Sequence, residues 1–294
     1  MRKKSNGCPQ APLPERPPQP FHHSTKSEFL FEEMISKNTI KHVHSLTIKK
    51  FRDAEGSFIA EGPKVVGDLL PLMDCKELFL TEQGFERFNA AKLLDGMAES
   101  SVHRITQAEL ERLSTLKAPR EALGVFRTPQ RQTDTKELAA IASKELCLAL
   151  DGVQDPGNLG TIIRIADWFG IEHILASTTS ADAFAPKVVQ ATMGAIGRVK
   201  MHYVDLESTL SEMGPDIPLY GTFLDGNNIY AKDLCPNGIV VMGNEGNGIS
   251  AGVSALINQR LFVPNYPSER STSESLNVAV ATAIICAEFR RRSL

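Results

Sequence analysis

Ile239-Val240-Val241-Met242-Gly243-Asn244-Glu245-Gly246-Asn247-Gly248-Ile249 is the stretch on which the reading of this chain turns. A fully apolar run of strand length predicts a strand buried on both faces, as in a parallel sheet covered by helices. The glycines that follow let backbone amides approach a ligand closely. A carboxylate set between them, Glu245, is unusual for a plain turn. No Gly-Lys-Ser/Thr follows, so this is not a Walker phosphate loop.

The same arrangement recurs on either side. Upstream, Leu150-Asp151-Gly152-Val153-Gln154-Asp155-Pro156-Gly157-Asn158-Leu159-Gly160-Thr161-Ile162-Ile163-Arg164 reads as an apolar strand, a turn and a helix. Asn158 is placed as the helix N-cap, with Arg164 a turn and two-thirds further along. Alone, this is equally a cap and a solvated arginine, and the order of Gly157 and Gly160 does not match GxGxxG. Downstream, Leu261-Phe262-Val263-Pro264-Asn265-Tyr266 and a polar stretch to Glu274 lead into Ser275-Leu276-Asn277-Val278-Ala279-Val280-Ala281. That helix opens with polar residues and continues with small ones that allow close packing.

From Leu146 onward, strands near Cys147, His173, Val199, Leu219, Ile239 and Leu261 alternate with helices near Leu159, Pro186, Leu206 and Ser275. The expected fold is α/β, a parallel sheet with helices on both faces, which binds ligands at the carboxyl ends of its strands. Ahead of it, residues 34–128 read as a small α/β domain. Its strands are Ser57 to Gly62, Glu77 to Leu80 and Ala122 to Phe126, with helices at Ile40 to Leu46 and Val65 to Leu72. Thr106 to Glu109 is a capping box that opens a further helix through Leu116. Residues 129–145 read as a linker passing into a short helix near Lys136 to Ser143. Residues 1–33, rich in proline and polar groups, read as a disordered extension.

With 42% hydrophobic and 23% charged residues in 294, the composition is that of an ordinary globular protein. The net charge of −3 carries no global signature of nucleic-acid binding, so any contact with nucleic acid must be local. Lys37, Lys41, Lys49, Lys50 and Arg52, with His42 and His44 among them, are either such a patch or a solvated helix face. Five scattered cysteines without a CxxC pair argue for reduced thiols and against a disulfide framework or a metal site. No apolar run is long enough to span a bilayer and no signal core follows the amino terminus, so a cytoplasmic location is expected.

Taken jointly, Asn-x-Gly-x-x-x-Arg, then Gly-Asn-Glu-Gly-x-Gly-Ile, then Val-Pro and Ser-Leu-Asn-Val-Ala-Val resemble the three ordered motifs of the SpoU/TrmH group of SPOUT methyltransferases. The resemblance spans about residues 146–292, with the small-residue stretch Ala191-Thr192-Met193-Gly194-Ala195 between the first two motifs. Residues 34–128 more weakly resemble the small substrate-binding domain that precedes such catalytic domains. The resemblance implies a carboxyl-terminal trefoil knot, a homodimer whose active site draws on both subunits, and S-adenosyl-L-methionine as cofactor. The cofactor would be held by backbone groups of Gly243, Val263 and Leu276, with Asn244, Gly248 and Ser275 shaping the pocket. It also implies RNA ribose 2′-O-methylation, with rRNA preferred to tRNA. Arg164 would orient the ribose and stabilise a developing alkoxide, and Asn158, Glu245 and Asn277 would keep substrate and arginine in register. The chain departs from the family where Pro-Met-x-Gly is expected, having Pro264-Asn265-Tyr266-Pro267 and a longer loop to Glu274. A dinucleotide-dependent oxidoreductase and a non-catalytic RNA-binding protein are the competing readings.

Overall fold

Residues 35–129, 134–267 and 275–292 are described by the structure, a computed structural model. The proline-rich segment 1–33, part of the linker and the polar loop 268–274 lie outside these residues.

The first part runs α1 (Lys37–Ser45), α2 (Lys49–Glu55), β1 (Ser57–Glu61), α3 (Pro63–Leu69), β2 (Cys75–Leu80), α4 (Glu82–Ala90), β3 (Val102–Arg104), α5 (Gln107–Leu113) and β4 (Ala122–Arg127). Its four strands form one sheet in the order β1-β4-β2-β3. The Thr106–Glu109 capping box is present, although α5 stops at Leu113 rather than Leu116. The run Lys49 to Arg52, expected as the charged end of the helix from Ile40, forms the separate helix α2, and α4 and β3 have no counterpart in the sequence expectation. The run Glu82 to Ala90 offers few apolar residues, and a three-residue strand is too short for a period to register.

The second part runs α6 (Thr135–Ala142), β5 (Leu146–Asp151), α7 (Pro156–Trp168), β6 (His173–Ser177), α8 (Pro186–Thr192), β7 (Lys200–Val204), α9 (Leu206–Ser211), β8 (Leu219–Asn228), β9 (Gly238–Gly243), α10 (Ala251–Leu256), β10 (Gln259–Phe262) and α11 (Val278–Arg291). All six strands are parallel, in the order β10-β8-β9-β5-β6-β7. The chain leaves β5 toward β6 and β7, and leaves β9 in the opposite direction toward β10. Adjacent strands whose connections diverge leave a crevice at their carboxyl ends, where α/β sheets bind ligands.

Alternate residues of β5 face opposite layers. Leu146, Leu148 and Leu150 pack with α7, α8 and α11, whereas Cys147 and Ala149 pack with α6, α9 and α10. The first layer continues into the smaller sheet, so Phe58, Ala60, Leu78 and Phe126 share one apolar core with Val188, Val189 and Ile196. Close helix packing in that layer depends on Gly160, where a Cβ would fall 2.5 Å from the Ala191 Cβ and 2.9 Å from the Val188 carbonyl oxygen. Burial pushes the Cys147 and Cys286 thiols up to about 12, which keeps them protonated and unreactive.

Arginines fasten the last helix. Arg290 donates to the carbonyls of Phe169 (2.7 Å) and Gly170 (3.0 Å) at the end of α7, while Arg292 reaches those of Ile229 (2.9 Å), Tyr230 (3.0 Å) and Lys232 (2.5 Å). Buried Glu288 accepts from Arg291 (2.8 and 2.9 Å) and Arg292 (2.7 Å). Those hydrogen bonds, the Arg291 one foremost, hold its carboxyl down at about 2 against an ordinary 4.5. Because the folded value is the lower one, the stabilisation is fully present above the unfolded value and is lost as pH falls through the folded one. Glu288→Gln is therefore expected to lower the urea midpoint at neutral pH, with the deficit shrinking between pH 4.5 and about 2. A deficit that stays constant over that range would refute the assignment.

Candidate active site

Asp155 and Pro156 open α7. The Asp155 carboxylate accepts from the Asn158 amide (2.8 Å), so Asp155 is the N-cap and Pro156 occupies the first helical position. The expectation that Asn158 caps the helix is corrected. Asn158 sits in the first turn, where its own side chain is released for other partners. The Asp-Pro pair was a legible signal for this, since proline favours the first position and aspartate the cap.

The released carboxamide joins the three motifs. Asn277 caps α11, its Oδ1 accepting from the amides of Ala279 (3.0 Å) and Val280 (3.2 Å). Its Nδ2 donates to Asn158 Oδ1 at 2.9 Å, and Asn158 Nδ2 donates to Glu245 Oε1 at 2.7 Å. The direction is forced at both ends, because a carboxylate only accepts and the cap has already used the Asn277 oxygen. Residues 119 and 87 positions apart are thereby held in one line at the carboxyl ends of β5 and β9 and the start of α11.

Two loops are sewn together beneath this line. Asn244 exchanges backbone hydrogen bonds with Gly248, 2.9 Å each way, and its Oδ1 accepts from the amides of Gly246 (2.9 Å) and Asn247 (3.0 Å). Its Nδ2 donates to the Gly152 carbonyl (2.7 Å), and the Ser250 amide donates to Asp151 Oδ2 (2.7 Å). Asn244 thus shapes the site by holding the loop closed. At Gly243 a Cβ would fall 2.3 Å from the Gly248 carbonyl carbon, so only glycine allows this return. Gly248 has a φ of +68° and faces open space, with nothing within 4 Å of where a Cβ would stand.

The remaining expected residues divide. Val263 lies just beyond β10 and is partly buried, while Ser275, Leu276 and Asn277 are exposed ahead of α11. Arg164 lies on an exposed position of α7 and, among the described residues, makes no hydrogen bond or ion pair with the Asn277–Asn158–Glu245 line. Six residues separate it from Asn158, about 9 Å along the helix and about 120° around it. In the basic run, Arg52 is buried at 4% exposure and paired with Asp182, and His42 is bound to Glu55 (2.8 Å). Lys50 alone of Lys49, Lys50 and Arg52 is left without an ion pair among the described residues, because Lys49 is paired with Asp53 (3.3 Å). Among the described residues, no His, Cys, Asp or Glu side chains are grouped as a metal ion requires, and no helix is long and apolar enough to cross a membrane.

A parallel sheet whose polar junction lies at the strand switch point defines a class of ligand-binding α/β protein, and the comparisons narrow it. Residues 145–287 match the SpoU rRNA Methylase family, and residues 37–124 match the MRM3-like substrate binding domain. The chain is similar to a structure assigned to the TrmH family of RNA methyltransferases from Porphyromonas gingivalis, 41% identical with TM-score 0.77, covering 88% of this chain and 100% of that one. An AdoMet-bound rRNA methyltransferase from Sinorhizobium meliloti is 28% identical with TM-score 0.75, covering 89% of this chain and 97% of that one. The 23S rRNA guanosine 2′-O-methyltransferase RlmP of Bacillus subtilis is 27% identical, over 88% of this chain and 98% of the relative. The chain belongs to the SpoU/TrmH family.

Asn158→Ala removes both links of the line at once. It is expected to cost about 1–3 kcal/mol in denaturant unfolding, the scale of two partly exposed hydrogen bonds. The loop 244–250 should also become more susceptible to limited proteolysis. Unchanged stability and an unchanged digestion pattern would show that the line holds nothing together.

Proposed function

We propose that this chain methylates a ribose 2′-hydroxyl of structured RNA, rRNA in preference to tRNA, using S-adenosyl-L-methionine. The observation that carries this reading is the Asn277–Asn158–Glu245 line, which gathers all three motifs at the crevice of the sheet. The cofactor supplies an electrophilic methyl group, and the protein supplies position and proton management.

The residues present fit such a ligand. The closely returning backbone at Gly243, the open face of Gly248, and the half-exposed side chain of Leu276 offer amides and an apolar surface in one place. Backbone groups of Gly243, Val263 and Leu276 hold the cofactor, with Asn244, Gly248 and Ser275 around them. Glu245 Oε2 has no hydrogen-bond partner among the described residues and is left to accept from the ribose. A guanidinium is a permanent cation and a fork of donors, so Arg164 orients ribose and phosphate and stabilises the developing alkoxide, while the hydroxyl proton passes to water and not to the arginine.

Arg164 serves the site of a second copy. Among the described residues it is not bonded to the line in its own chain, and it lies in an exposed row with Thr161 and Trp168, the latter 84% exposed. Leu276, just ahead of α11, and Val280 on it lie exposed, and α11 packs against α7. A homodimer formed on this face covers those apolar groups and completes each site with the partner's arginine. Residues 34–128 act as the RNA substrate domain, 129–145 as linker and 146–294 as the methyltransferase domain. The carboxyl-terminal part of the chain, by the same family likeness, closes a trefoil knot. The protein works in the cytoplasm, where its buried thiols stay reduced.

The test is methyl transfer from labelled cofactor to bulk rRNA and tRNA, followed by mapping of ribose methylation. Label is expected in rRNA as a 2′-O-methyl nucleotide, and label only in a base or in protein would refute the reading. Arg164→Ala and Asn158→Ala should each be inactive. Mixed one to one, they should recover about a quarter of wild-type activity, because half the dimers carry one complete site. A mixture as inactive as its parts would place each site within a single chain.

A further inference from the structure

Arg52 shares a basic run with Lys49 and Lys50, yet it is among the most buried charged groups of the molecule. At 4% exposure its Nη1 donates to the Leu46 carbonyl (2.9 Å) and its Nη2 to Asp182 Oδ2 (2.5 Å). Nε is buried with no hydrogen-bond partner among the described residues. The pair lies where the two sheets meet, beside a cavity of about 190 Å³ lined by Arg52, Asp53, Gly56, Thr128, Asp182 and Phe184. Next to it the Phe58 ring of β1 packs on Phe184, with centroids 4.9 Å apart. A guanidinium committed in this way is not available to an RNA phosphate.

Asp182 belongs to the loop between β6 and α8, and that loop is fastened to the site. Asp182 Oδ1 accepts from the Phe184 amide (2.9 Å), and the Tyr203 hydroxyl donates to the Ala181 carbonyl (2.5 Å) while accepting from the Ala183 amide (2.8 Å). The Ala181 amide donates to the Val153 carbonyl (2.9 Å), Ser180 Oγ to the Leu150 carbonyl (3.2 Å), and the Gly152 amide to Ser177 Oγ (2.9 Å). Gly152 in turn holds Asn244. Hydrogen bonds therefore run from α2, beside the smaller sheet, to the turn that leads into α7 and to the loop that carries Glu245.

We propose that Arg52 is a positioning residue for the reaction: by pairing with Asp182 it docks the four-stranded sheet on the 177–185 loop and so aligns the RNA-holding part of the chain with the methyl-transfer site. This rests on the proposed RNA methylation. It assigns Arg52 to catalysis through the placement of the acceptor, not through contact with it.

The test compares wild type with Arg52→Met, Arg52→Lys and Asp182→Asn in the full-length protein. Each is followed by hydrogen exchange, by calorimetric titration of S-adenosyl-L-methionine, and by steady-state methylation of rRNA. Arg52→Met should speed exchange of the amides in 177–185 and 151–155 and raise KM for RNA by about tenfold or more, the scale of a lost charged hydrogen bond. Cofactor affinity should stay within about twofold, since the network reaches Asn244 only through its side chain and the backbone of Gly243, Val263 and Leu276 takes no part in it. Arg52→Lys, which keeps the charge but not the fork, should recover part of the KM. Where Arg52→Met does not fold, Asp182→Asn gives the same readouts, because it removes the charge while keeping the size. Unchanged exchange in these loops, or a fall in cofactor affinity in step with RNA affinity, would overturn the proposal. If wild type binds cofactor but methylates no RNA, the function falls, and the exchange data still decide whether the clamp exists.

Discussion

The side chains of Asn277, Asn158 and Glu245 hydrogen-bond in sequence, each at the end of a different connection, and the placement of everything else near the crevice follows from that line. The capped end of α11 can lie against the first turn of α7 only because Asn277 spends its oxygen on its own helix and its amide on Asn158. The first turn of α7 presents Asn158 only because Asp155 and Pro156 have taken over the start of the helix. The loop carrying Glu245 holds its place because Gly243 lets the chain return within van der Waals distance of Gly248. A carboxamide suits the middle of such a line, since Asn158 can donate to one neighbour while accepting from the other.

The sheet supplies the frame on which these local choices operate. β5 and β9 lie side by side over six paired residues, from Leu146 opposite Gly238 to Asp151 opposite Gly243. Both strands therefore end at one level, and the loops leaving them diverge. Apolar packing on both faces fixes their depth, while Arg290 and Arg292 pin α11 to the end of α7 and to residues 229–232. The smaller sheet is not a loosely hung appendage, since Phe58 and Phe126 belong to the same core as Val188. Its placement is a property of that core and of the buried Arg52–Asp182 pair.

Much of this was legible in the sequence. Strands β5 and β9 announce themselves as unbroken apolar runs, and the three motifs lie at the ends of strands as their spacing implies. What escaped was decided by tertiary contacts. Asn158 reads as a cap because asparagine caps helices, yet an aspartate three residues earlier competes better when proline follows it. Arg52 sits among lysines, and only the packing of α2 against the 177–185 loop reveals that it is buried. The helix α10 and the full length of β8 carry too few periodic apolar residues to be seen from pattern alone.

The junction of the three motifs is proposed to build the cofactor site. Calorimetric titration of S-adenosyl-L-methionine into wild type and Asn277→Ala tests it most directly, without reference to any RNA. One cofactor per chain is expected for wild type, with a loss of about tenfold or more in affinity for the variant, whose Leu276 and Glu245 are no longer held in place. Equal affinity for the two proteins, with both folded, would contradict it.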